Sequence, residues 1–123
     1  MAEDRVYSVE EANAELPDLL VRLQRMREAR QTILRAAERI RSRVVVDGGE
    51  REGDDYWKAS AALKGELERL AEQGILLRDA EVGIVDFPAE RDGRGVYLSW
   101  RLGEDRVAWW HDVDSGFVSR KPI

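Results

Sequence analysis

The sequence predicts an α+β protein, in which a long antiparallel helical hairpin is followed by a small three-stranded antiparallel β-meander. Two observations carry this prediction. Before Gly74 the apolar residues recur every three or four positions, which is the spacing of one helix face, and after Gly74 they alternate with polar residues, as in strands. The chain has 123 residues, close to the usual length of one domain. We therefore expect residues 1–123 to form a single domain.

The first helix is expected over residues 9–43. Ser8 and Glu11 have the spacing of a capping box, in which each side chain bonds the backbone amide of the other residue. Pro17 has no amide hydrogen and clashes with the preceding turn, so it either separates a short helix over 9–16 or bends a continuous one. The apolar face of this helix consists of Leu16, Leu19, Leu23, Met26, Ile33, Ala37, Ile40 and Val44.

The second helix is expected over residues 55–73, where Gly74 supplies the left-handed conformation that ends a helix. Its predicted apolar face consists of Tyr56, Ala59, Leu63, Leu67 and Leu70. This helix is shorter than the first, so part of the first helix's apolar face lacks a partner within the chain. We therefore expect a homodimer, with the helical hairpin as one candidate interface.

The β-meander is expected over residues 82–112, with residues 113–123 as a C-terminal tail. If Glu104 and Asp105 form the second turn, Trp100 faces Trp109, Leu98 faces His111, and Ser99 faces Trp110 on the other side of the sheet. In this register Trp100 and Trp109 pack the sheet against the helices.

Composition narrows the possible functions and locations. The chain contains no cysteine, which excludes disulfides, thiolate catalysis and cysteine-bound zinc, and which suits the cytoplasm. No apolar run approaches the roughly 18 residues of a membrane span, so we expect a cytoplasmic protein without a membrane partner. Residues 17–43 hold eight arginines against three carboxylates, yet the whole chain has a net charge of −5. An acidic chain repels phosphate at range, so nucleic acid is an unlikely partner.

The C-terminal third concentrates the polar and aromatic residues from which a site could be built. One hypothesis is a metal-binding or hydrolase-like site with Asp86, Glu104 and His111 as catalytic candidates and Asp86, His111 and Asp114 as metal ligands. The alternative is that His111 pairs with Asp86 or Asp112 in a buried structural network. No cofactor is expected.

A second hypothesis is an anion or nucleic-acid site. Its candidate cations are Arg91, Arg94, Arg101, Arg120 and Lys121, with Trp110 or Tyr97 as a stacking platform. Residues 91–95 have the composition of a tight hairpin turn, which we favour over a phosphate-binding loop. The residues expected to bind a ligand or partner are Trp100, Trp110, Arg101 and Arg120.

Several motifs resemble those of the bacterial family known as domain of unknown function 2203. They are SVEEAN (8–13), GIVDFP (83–88), VYLSWRLGE (96–104), WH (110–111), GF (116–117) and RKPI (120–123). The resemblance implies no established activity or catalytic residue, and similar proteins often have cysteine where this chain has Ser99. We therefore favour a non-catalytic protein-interaction or scaffolding module with an unidentified protein partner.

Overall fold

The computed structural model describes residues 5–42 and 49–123, without the side chains of residues 49–53. Two helices come first, α1 (Val9–Ser42) and α2 (Gly49–Glu72). Five strands follow, β1 (Leu76–Asp79), β2 (Ile84–Arg91), β3 (Arg94–Arg101), β4 (Trp109–Asp112) and β5 (Lys121–Pro122), with a 3-10 helix over Phe117–Ser119 before the last strand. The α+β class is therefore confirmed.

Helix α1 begins at the predicted cap. The Ser8 amide donates to Glu11 Oε1 at 2.8 Å, and the Glu11 amide donates to Ser8 Oγ at 3.0 Å. The helix continues through Pro17 to Ser42 without separating into two. Val44 and part of the connection expected after it lie outside the described residues.

Helix α2 begins at Gly49, six residues before the predicted start at residue 55. Contacts between Gln73 and Glu15 and between Glu66 and Arg22 place α2 alongside α1 in the opposite direction. The helix ends at Glu72, one residue before the predicted end, and Gly74 has the expected left-handed conformation, with a φ of 74°. Neither described helix has the length and apolar character needed to cross a membrane.

The sheet has five strands in the order β1-β2-β3-β4-β5, and all neighbouring strands are antiparallel. The sequence therefore predicted two strands fewer than the sheet contains. Strand β1 precedes the predicted meander, and β5 lies in the segment that was predicted to be a tail. Both are hard to recognise, because β1 has four residues with an irregularity between Leu77 and Asp79, and β5 has two residues.

The predicted register between β3 and β4 was wrong by one residue. Ser99 faces Trp109, Leu98 faces Trp110, and Tyr97 faces His111. A shift of one residue turns every side chain to the other face of a sheet. Trp110 therefore lies on the face that packs against the helices, whereas Trp109 and His111 lie on the outer face.

The main core lies between the helices and one face of the sheet. Its helical residues are Ala12, Leu16, Leu19, Leu23 and Met26 of α1 and Leu70 of α2. Its sheet residues include Val85, Phe87, Ala89, Val96, Leu98, Trp100 and Trp110. The sheet's outer face is therefore left to the strands themselves and to the C-terminal segment.

The turn between β1 and β2 gives a test of this packing. A Cβ atom on Gly83 would lie 2.7 Å from the Leu102 Cβ, and Gly83 has a φ of 87°. Gly93 has a similar φ of 80° but open space around it. We predict that Gly83→Ala lowers the free energy of unfolding by about 2 kcal/mol more than Gly93→Ala, since both add backbone strain and only the first adds overlap. Urea unfolding measures both variants, and an equal loss of unfolding free energy in Gly83→Ala and Gly93→Ala would contradict this packing.

Candidate functional site

The outer face of the sheet contains a buried polar cluster, which consists of Asp86, Ser99 and His111. Asp86 on β2 and Ser99 on β3 face each other directly across the two strands. His111 on β4 faces Tyr97 on β3, and Tyr97 is two residues from Ser99 along the same strand. Residues two apart lie on the same face of a strand, so the side chains of Asp86, Ser99 and His111 all point to one side of the sheet. Each is at most 2% exposed. Buried polar groups of this kind need partners.

Asp86 joins two cationic or hydrogen-bearing groups. Its Oδ2 atom accepts from Arg78 Nε at 2.8 Å and lies 3.0 Å from His111 Nε2. His111 Nδ1 lies 2.8 Å from the Asp112 carbonyl oxygen. Both ring nitrogens therefore face oxygen acceptors, and both contacts are hydrogen bonds only when each nitrogen carries a hydrogen. The Asp86–His111 pair matches the structural network that the sequence left open as an alternative.

Arg78 closes the cluster from β1. Its guanidinium lies 5.0 Å from the centre of the Tyr97 ring. The hydrogen bond to Asp86 raises the pKa of Arg78 above its ordinary value, although partial burial acts in the opposite direction. The sequence analysis missed Arg78, because residues 76–79 were not recognised as a strand.

Two polar atoms of the cluster have no hydrogen-bond partner among the described residues, Asp86 Oδ1 and Ser99 Oγ. They belong to residues that face each other across β2 and β3. Five cavities in the described part of the chain are lined by other residues. The three side chains of the cluster are buried, so they are closed to a substrate in this structure.

Glu104 does not join this cluster. It forms a second feature, the clasp, in which its two carboxylate oxygens accept from the two terminal nitrogens of Arg120 at 3.0 and 2.9 Å. The Arg120 guanidinium also lies 3.9 Å from the centre of the Phe117 ring and 5.1 Å from that of Trp109. The clasp therefore ties the loop after β3 to the C-terminal segment.

The clasp changes the acidity of Glu104. Partial burial raises the pKa of the carboxyl, but hydrogen bonds from Arg120 and from the Arg101 amide outweigh it, so the pKa lies below its ordinary value. Glu104 is therefore held as a carboxylate by its pairing with Arg120. The hypothesis that Glu104 acts with Asp86 and His111 gains no support from this arrangement.

The other predicted site residues lie apart. Trp100 is in the core, where its indole nitrogen donates to the Glu104 carbonyl at 3.1 Å. Arg101 and Asp114 are exposed. Among the described residues, no group of three or more His, Cys, Asp or Glu side chains could hold a metal ion. Asp86, His111 and Asp114 therefore do not form the expected ligand set.

One buried charge between the helices was also missed. Arg22 is 1% exposed and bonds Glu66 on α2 at 3.1 Å and Asp18 on α1 at 3.2 Å. The sequence analysis counted Arg22 among the eight arginines of residues 17–43 without singling it out. The spacing of Asp18 and Arg22 indicates an ion pair, but it does not show that the pair is covered by α2.

We predict that Asp86→Ala lowers the free energy of unfolding by about 3–5 kcal/mol, because it leaves Arg78 and the buried His111 without their acceptor. Asp114→Ala is the matched control, since Asp114 is exposed, and its effect should stay within about 0.5 kcal/mol. Urea unfolding of both variants measures the difference. A loss below about 1 kcal/mol for Asp86→Ala would show that the polar cluster is not needed for stability.

The clasp predicts a pH dependence. A carboxylate whose pKa is lowered by folding stabilises the fold above its unfolded pKa, about 4.3 for Glu, and this contribution is lost as pH falls through the folded pKa. We predict that Glu104→Gln is less stable than the parent chain by about 1 kcal/mol at pH 7 and that the difference narrows toward pH 3. Arg120→Gln should behave in the same way in urea unfolding. A difference that stays constant with pH would contradict the assignment.

Comparison with known proteins identifies the family of the chain. No curated protein and no solved structure matches it significantly. A family model described as "Uncharacterized conserved protein (DUF2203)" matches residues 5–123, which is nearly the whole sequence. That description names no activity, substrate or partner. The match covers both the helical and the β region, and the chain belongs to the DUF2203 family.

Proposed function

We propose that the protein is a non-catalytic interaction module that works as a homodimer, joined through the distal arm of its helix pair. The distal arm is defined as residues 27–42 of α1 with residues 54–63 of α2. The observation that carries the proposal is that this arm extends beyond the sheet and leaves large apolar side chains in solvent. This arm is part of the antiparallel hairpin expected from the sequence.

The sheet covers only the first half of α1. The α1 residues of the main core run from Ala12 to Met26. Beyond them, Arg27 and Arg30 contact Glu81 in the turn between β1 and β2. From Met26 to Ser42 the helix continues for about 24 Å, at 1.5 Å per residue. Most of this length therefore lies past the core that the sheet provides.

The arm carries an apolar face along this length. Ile33, Leu34, Ala37 and Ile40 have the spacing of one helix face. Leu34 is 53% exposed and Ile40 is 49% exposed. Trp57 on α2 is 71% exposed. Leu20, Val21 and Leu67, which lie on the helices outside the arm, are also exposed. Exposed apolar residues mark an interaction surface where they lie together, as we propose for the arm, whereas single ones are ordinary.

Charge complementarity favours a second copy of the chain as the occupant. Residues 27–42 of α1 hold five arginines against Glu28 and Glu38, whereas residues 54–63 of α2 hold Asp54 and Asp55 against Lys58. A two-fold axis can place the basic α1 of one copy beside the acidic α2 of the other. The same pairing brings the two apolar faces together in a four-helix arrangement.

Further assignments are proposals of the same kind. The polar cluster is inaccessible, so we infer that the protein acts by binding rather than by catalysis. A further protein partner, a cytoplasmic location and a bacterial source remain predictions from the sequence.

Sedimentation velocity at micromolar protein concentrations tests the dimer. We predict a species of twice the 14.1 kDa chain mass for the parent protein and a monomer for the double variant Leu34→Glu, Ile40→Glu, because the new carboxylates cannot be buried without partners. Val118→Glu is the matched control, since Val118 is 96% exposed on the 3-10 helix. It should remain dimeric.

A parent protein that stays monomeric would overturn the proposal. So would a double variant that remains dimeric with an unchanged circular dichroism spectrum, because the interface would then lie elsewhere.

A further inference from the structure

The geometry points to a binding site for a small phosphate-type oxyanion at one corner of the sheet, which we call the basic corner. It consists of Arg91, Arg94 and Lys121 around Trp110. This site is independent of the distal arm, and it does not rest on the proposed dimer.

Three strands bring the cations of the basic corner together. Arg91 on β2 and Arg94 on β3 face each other in the last pair of their ladder, and Lys121 on β5 faces Trp110 on β4. Their charged groups lie 4.5, 6.0 and 4.9 Å from the centre of the Trp110 ring, for Arg91, Arg94 and Lys121 respectively. One indole ring is therefore shared by three positive charges.

The local carboxylates pair with only two of the three cations. Asp112 lies 2.8 Å from Arg94 and 3.7 Å from Lys121, so one carboxylate serves two cations. Glu90 and Asp92 are neighbours of Arg91 in the sequence, but in the described part of the chain Arg91 makes no ion pair. Like charges that face each other across two strands destabilise a sheet, and a bound anion removes that cost.

A tight turn positions two of the cations, and the site has space beside it. Asp92 and Gly93, with φ values of 53° and 80°, form the tight turn that joins the two arginine-bearing strands. A cavity of about 90 Å³ adjoins the corner, and Arg91 and Trp110 are among its lining residues. This is room for a group of a few heavy atoms. The tight turn expected for residues 91–95 is thus confirmed, and it positions the cations rather than enclosing the ligand.

The chemistry selects a small oxyanion. Guanidinium groups present paired N–H donors that match phosphate oxygens, and the lysine adds a point charge. Trp110 is 7% exposed and three cations lie within 6.0 Å of its ring centre, so a nucleic-acid base has no free ring to stack on. We therefore assign the corner to a compact phosphate group rather than to a nucleic-acid strand.

Titration with inorganic phosphate at constant ionic strength, with chloride as the balancing anion, tests the site. The readout is the NMR signal of the Trp110 indole N–H, assigned with Trp110→Phe. We expect a saturable shift and an affinity about tenfold weaker in Arg91→Gln, as for loss of one charged hydrogen bond. Lys121→Gln should weaken binding in the same direction.

Arg101→Gln is the matched control. Arg101 is an exposed arginine on β3, seven residues from Arg94 and therefore about 24 Å away. The Arg101→Gln variant should bind phosphate with the same affinity as the parent protein. Equal weakening in Arg101→Gln and Arg91→Gln would overturn the proposal, because binding would then follow net charge alone. A shift that chloride reproduces, or saturable binding of a single-stranded DNA oligonucleotide without binding of phosphate, would also overturn it.

Discussion

The buried carboxylate of Asp86 is the group on which the outer face of the sheet depends. The helices cover the other face, so the outer face is closed by side chains of the strands and by the C-terminal segment. Asp86 connects β2 to β1 through Arg78 and to β4 through His111. A buried charge is stable only while its partners remain in place. The strands around Asp86 are therefore held as a set, and short strands such as β1 persist although they bury little apolar surface.

The molecule has two parts, the sheet with the helix ends that pack on it and the distal arm, which differ in how far their apolar and polar groups are covered within one chain. The sheet part is covered within one chain, because its inner face packs on α1 and its outer face is closed by the polar cluster and by the clasp between Glu104 and Arg120. Within the cluster, Asp86 Oδ1 and Ser99 Oγ have no hydrogen-bond partner among the described residues. The distal arm is not covered within one chain, because its helices contact each other but leave Leu34 and Ile40 half exposed. The titratable groups of the sheet's outer face pair with one another, whereas large apolar groups of the arm remain exposed. We therefore propose binding rather than catalysis.

Local sequence signals predicted the parts of this fold that depend on local physics. The cap at Ser8, the stop at Gly74 and the alternation in β2 and β3 are visible because each follows from the residues themselves. The strand register was missed, because the connection between Arg101 and Trp109 gives no local indication of where the turn is centred. Side-chain chemistry suggested that Asp86 and His111 could meet, but it equally suggested Glu104. The pairing of the strands brings Asp86 and His111 together and leaves Glu104 in a loop, and this pairing is not visible in the residue types.

Amide hydrogen exchange at two protein concentrations tests most directly whether a second copy completes the arm. One concentration should favour the monomer and the other the dimer. We predict that amides in residues 31–42 of α1 become more protected at the higher concentration, because the second copy covers them, while amides of β2 and β3 keep the same protection. Protection in residues 31–42 that does not change with concentration while the mass doubles, or protection that rises in the sheet instead, would contradict the assignment of the distal arm as the interaction surface.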